Sequence, residues 1–126
     1  MKKERRPVNL NLFTMHFPMP AIVSILHRIS GVILFLFIPF MLWGLNLSLK
    51  SEQDFMDIQS AMSSSNCLKF FIWCGLAAFI FHFIAGIRHL LMDVHIGDAL
   101  KGGRLSAQIT MILSIVLMIL AGIWLW

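Results

Sequence analysis

The chain has 126 residues, of which 59% are hydrophobic and 13% charged, with a formal net charge of +4. Its apolar residues are gathered in three long blocks, which excludes a water-soluble globular domain and identifies an all-α integral membrane protein. The positive charge does not point to nucleic acid, because the basic residues form no groove interleaved with aromatics.

Residues 1–20 form a basic arm punctuated by Pro7, Pro18 and Pro20, and no cleavable signal is visible in it. Pro18 and Pro20 disfavour helix before Ala21. The first helix is expected over 21–49, with Ile29 to Leu49 free of formal charge. At 1.5 Å per residue it measures ~44 Å against a hydrocarbon layer of ~30 Å, so it must tilt or extend into the interface. Pro39 is expected to kink it. Ser24, His27, Arg28 and Gly31 share one helical face by the i, i+3, i+4, i+7 rule. Arg28 suits two roles from spacing alone. It is either an interfacial arginine that fixes topology, or a guanidinium that, with Ser24, hydrogen-bonds a quinone carbonyl and favours negative charge on it.

Residues 50–66 are read as a serine-rich outer loop with one amphipathic turn around Phe55 and Ile58. The second helix is expected over 67–92. Its core, Phe70 to Ile87, is an eighteen-residue run with no formally charged side chain, in which His82 is the sole basic one. A polar ring inside such a span is costly unless something binds it. Gly75, Ala78, Ala85, Gly86 and His89 fall within about 60° of His82 on a helical projection. These small residues form a notch, which serves close helix contact or, with a nitrogen at its centre, a flat macrocycle held by an axial imidazole; the notch is expected to face outside this chain. His82 lies ~9 Å along the helix from Arg88, so His27, Arg28, Arg88 and His89 are candidates for neutralising anionic groups at the inner boundary. Cys67 and Cys74, seven apart on one helix, cannot pair and read as small packing residues. No Cys-x-x-Cys-His, Cys-x-x-Cys or Gly-x-Gly-x-x-Gly motif occurs.

Residues 93–104 form a glycine-bearing inner loop with His95, and 105–126 a third helix whose few hydroxyl and amide side chains suit packing. His16 and His95 read as interfacial residues. Eight of the ten lysines and arginines (Lys2, Lys3, Arg5, Arg6, Arg28, Arg88, Lys101, Arg104) lie on the side of the arm, and Lys50 and Lys69 on the other. That asymmetry predicts a cytoplasmic N-terminus and a periplasmic C-terminus for a single membrane domain. Trp43, Trp73, Trp124 and Trp126 near the outer ends fit an interfacial belt. The absence of an Arg- and Ser-rich transit segment favours a bacterial inner membrane.

Two stretches together make a recognisable pattern. Arg6-Pro7 leads to Ser24-Ile25-Leu26-His27-Arg28-Ile29-Ser30-Gly31, and His82-Phe83-Ile84-Ala85-Gly86-Ile87-Arg88-His89-Leu90-Leu91-Met92-Asp93 follows. Over essentially its whole length the chain resembles the cytochrome b membrane-anchor subunits of succinate dehydrogenase, respiratory complex II. The resemblance implies one haem b shared with a second three-helix anchor that supplies the other axial histidine, and docked iron-sulfur and flavoprotein subunits. It assigns His82 to the iron, His27 and Arg28 to the haem propionates, and Ser24 with Arg28 to the ubiquinone site. The chain then carries no succinate chemistry of its own. One departure is His95, where the pattern tends to hold a small residue two positions after the aspartate. The alternatives are an anchor of a related fumarate reductase, a haem-free structural anchor whose His82 is satisfied by an interhelical hydrogen bond, and a proton-coupled transporter subunit, which lacks a second buried acid or base.

Overall fold

A computed structural model describes residues 17–97 and 99–126. The basic arm, including Arg6, Pro7 and His16, lies outside the described residues. The described chain is helical throughout: α1 spans Met19–Ser48, α2 Glu52–Ser64, α3 Asn66–Asp93 and α4 Leu100–Leu125. Three of these, α1, α3 and α4, are long and apolar enough to cross a bilayer.

Helix α1 opens on Pro18 as N-cap, with Pro20 in its first turn, where a missing N–H is harmless. It continues as one helix through Pro39. The segment expected as a loop with a single amphipathic turn is instead the 13-residue α2. Its start is chemically well defined: the Ser51 hydroxyl accepts from the Asp54 N–H at 3.1 Å, and Glu52 and Asp54 put negative charge against the helix N-terminus. Ser65 then ends α2 and caps α3, accepting from the Leu68 N–H at 3.3 Å.

Helix α3 stops in a Schellman arrangement, with His95 N–H bonded to Met92 O at 3.0 Å and Ile96 N–H to Leu91 O at 2.9 Å. His95 therefore sits at φ 62°, the left-handed region in which a side chain is a burden. Glycine would carry no such burden there. Helix α4 begins earlier than expected and takes Gly102 and Gly103 into its first turns. Gly102 is there for close approach, since a Cβ on it would lie 3.1 Å from Gly97 Cα.

The three long helices bury a narrow seam. Val23, Phe81, Ala85 and Ala107 form its centre, with Leu26, Met111 and Met118 packed around them. Gly75 admits the Phe37 ring, which a Cβ would strike, and Phe37 stacks on Phe71. The small-residue face of α3, expected to look outside the chain, is thus covered from within: Ala85 is fully buried and Gly86 lies against His27. Trp73 is also turned inward, its indole donating to Met118 O at 3.0 Å, whereas Trp43, Trp124 and Trp126 are exposed. Cys67 and Cys74 are free and exposed rather than packed. Most large apolar side chains point out of the bundle, as a chain surrounded by lipid or other membrane helices requires.

Candidate functional site

The site lies where α1 and α3 cross. Ser30 is buried on α1, and its hydroxyl donates to the His27 carbonyl one turn back at 2.8 Å. His82, projecting from α3, brings Nδ1 to 3.1 Å from that carbonyl and 3.1 Å from Ser30 Oγ. The carbonyl has no proton to give, so the contact is a bond only if Nδ1 carries the hydrogen. That protonation makes Nε2 the nitrogen with the free lone pair. No described residue hydrogen-bonds Nε2, and it is not among the enclosed atoms that lack a partner. Inside an apolar span, an unshared imidazole nitrogen therefore reaches the surface of the bundle.

Gly31 makes the approach possible, because a Cβ there would stand 3.0 Å from His82 Cε1. The His27 ring stacks on His82 with centroids 4.2 Å apart and planes 19° from parallel. His89, two turns beyond His82, lies 4.9 Å from His27. Spacing had placed the three histidines near the same boundary, and the structure brings them into one contiguous cluster. His27 Nε2 is buried beside Gly86 with no partner, an orphaned nitrogen that calls for an acceptor or donor.

These atoms fit a haem in one specific way. His82 Nε2 would hold the iron, its second nitrogen being tied to a backbone carbonyl as metal-bound imidazoles commonly are. His27 cannot be the opposite ligand, because rings stacked at 4.2 Å leave no space for a macrocycle between them. Among the described residues, no group of three histidines, cysteines or carboxylates is disposed to hold a metal ion.

A family model described as the succinate dehydrogenase/fumarate reductase transmembrane subunit matches residues 2–121. The chain belongs to this family. It is 41% identical over 122 residues to the succinate dehydrogenase cytochrome b556 subunit of Coxiella burnetii, covering 97% of this chain and 98% of that one. Identity to the subunit of the same name is 30% in Rickettsia prowazekii, over 92% of this chain and 90% of that one. In Paracoccus denitrificans it is 31%, over 95% and 92%.

For this succinate dehydrogenase-type membrane subunit, the remaining sequence candidates fall as follows. Ser24 is half-buried and Arg28 exposed, one turn apart on α1, and neither side chain engages another described residue. On the other side of α1 from both, Leu26, Ile29, Ser30 and Ile33 line one wall of an apolar cleft of about 450 Å³ whose other walls are α3 and α4. Arg88, expected beside the histidines, is turned to the opposite side. It is buried, with Nε donating to Ser106 Oγ at 3.1 Å and Nη2 to Gly103 O at 3.3 Å. Six residues on from His82 is about 240° of helix, which carries the side chain to α4. Sequence reasoning passed over Ser30 as a functional residue, although its place three residues after His27 puts it on the same α1 face.

Proposed function

We propose that this chain is a haem b-binding membrane anchor of a succinate dehydrogenase, sharing the haem with a second three-helix anchor and helping to form a ubiquinone-reduction site. The observation that carries this reading is His82: Nδ1 is bonded within the span and Nε2 is left open at the bundle surface. A ligand nitrogen facing outward, with no opposite ligand in the described chain, suits a haem held between two subunits. Bound there, the haem supplies a one-electron redox centre within the bilayer.

His82 holds the iron in this proposal, and His27 with Arg28 meets the propionates. Ser24 and Arg28 line the quinone head-group site. The Ser24 hydroxyl donates to a carbonyl oxygen, and the Arg28 guanidinium favours the negative charge that grows as the head group is reduced, which lowers the barrier only to the extent that it binds the reduced form better. Electrons arrive from succinate through docked flavoprotein and iron-sulfur subunits, and the chain itself catalyses no succinate chemistry. The distribution of lysine and arginine supports a cytoplasmic N-terminus in a bacterial inner membrane.

The test uses the purified four-subunit complex carrying Arg28→Ala. Succinate-driven ubiquinone reduction is expected to fall about 10²-fold, the effect of losing one donor at a developing charge, with the haem spectrum and dye-linked succinate oxidation retained. Unchanged quinone reduction would remove Arg28 from the site.

A further inference from the structure

We propose that Ser30 is a positioning residue for the iron-binding imidazole: its hydroxyl holds the His82 ring with Nδ1–H inward and Nε2 outward. This rests on the haem reading of His82 given above. Rotation of an imidazole about its last torsion is soft, so the orientation of the ring is set by what its edge meets. Here the edge meets two oxygens. The Ser30 hydroxyl gives its own hydrogen to His27 O at 2.8 Å, which fixes the rotor and leaves its lone pairs toward Nδ1 at 3.1 Å. The His27 carbonyl lies at the same distance from the same nitrogen, so one N–H is shared between two acceptors on adjacent turns of α1.

The rest of the ring is confined by packing. The His27 imidazole covers one face at 4.2 Å, and the missing side chain of Gly31 leaves room for Cε1 and nothing more. Ser30 itself is 6% exposed, so water does not readily replace its oxygen. A hydrogen bond from Nδ1–H increases electron density at Nε2, strengthens its bond to iron and favours the oxidised metal. Taking away one acceptor therefore loosens the haem and raises its midpoint potential.

The experiment compares the intact complex bearing Ser30→Ala, Ser30→Cys, Ser30→Thr or His82→Ala. Two properties are measured: the rate of haem transfer to an excess of a haem-scavenging apoglobin, and the haem midpoint potential by redox titration. Ser30→Ala is expected to lose haem about tenfold faster, the scale typical of an outer-shell partner. Its reduced-to-oxidised ratio at fixed ambient potential rises by up to about tenfold, equivalent to ~59 mV. Ser30→Cys, whose sulfur is a weak acceptor, shifts both in the same direction by less, and Ser30→Thr restores both. If Ser30→Ala and Ser30→Cys match the parent in both measurements while His82→Ala is devoid of haem, Ser30 has no positioning role. If His82→Ala keeps its haem, the parent reading fails first and this inference falls with it.

Discussion

The two seams of the bundle use the same bonds to opposite ends. Between α3 and α4, Trp73 donates to Met118 O, and Arg88 donates to Gly103 O and Ser106 Oγ. In each case a polar side chain of α3 is spent on closing the helix pair. Between α1 and α3, His82 closes the pair with one nitrogen and keeps the other. An indole has only one polar atom, and a guanidinium has donors but no lone pair. A neutral imidazole can cross-link two helices through its N–H and still present a nitrogen lone pair, so in the proposed reading the α1–α3 seam carries chemistry and the α3–α4 seam stability.

That contrast predicts two kinds of variant. The largest effect is expected from Gly31→Ala, where the new methyl at 3.0 Å meets a ring already fixed by two hydrogen bonds and a stacked neighbour. Haem content of the purified complex should drop more than tenfold, with the chain still assembled, since outer-shell disturbance costs 10–100-fold in affinity. Arg88→Met comes next. It removes two charge-assisted bonds, to Ser106 Oγ and Gly103 O, which keep their bond to each other at 3.1 Å, and should cost about 1–3 kcal/mol in thermal or denaturant stability of the complex, while the haem spectrum is unmoved. Trp73→Phe removes a single interhelical hydrogen bond worth ~0.6 kcal/mol on average in a membrane protein, again with no spectral change. Smallest is Gly86→Ala, where a methyl 3.6 Å from His27 Nε2 is an ordinary contact, and stability and haem content should both stay near the parent. A spectral change in Arg88→Met or Trp73→Phe, or an unaltered haem content in Gly31→Ala, would break the division between the seams.

Much of this was readable before any coordinates. Hydrocarbon thickness sets span length, so three charge-free blocks became three long helices, and Pro18 with Pro20 marked where the first begins. Geometry of 100° per residue placed His82, Gly86 and His89 on one face of α3, and they do share the side that meets α1. What that face touches was not readable. A stripe of small residues shows that something comes close but not whether it belongs to the same chain, and Phe37, His27 and Gly31 fill it here. Arg88 was misplaced because charge was weighed without its angle, which directs it to Ser106. The helix α2 was missed because its serine-rich, polar composition reads as a loop and its amphipathic pattern as a single turn. Its signal was local instead, the Ser51-x-x-Asp54 cap.

His82 carries the account, and the direct measurement is the reduced-minus-oxidised absorption spectrum of the intact complex with and without His82→Ala. The parent complex should show a six-coordinate b-type haem, and the variant should lose that signature while the other subunits of the complex remain attached. A low-spin b-type spectrum that survives the substitution unchanged would contradict the assignment of this imidazole to iron.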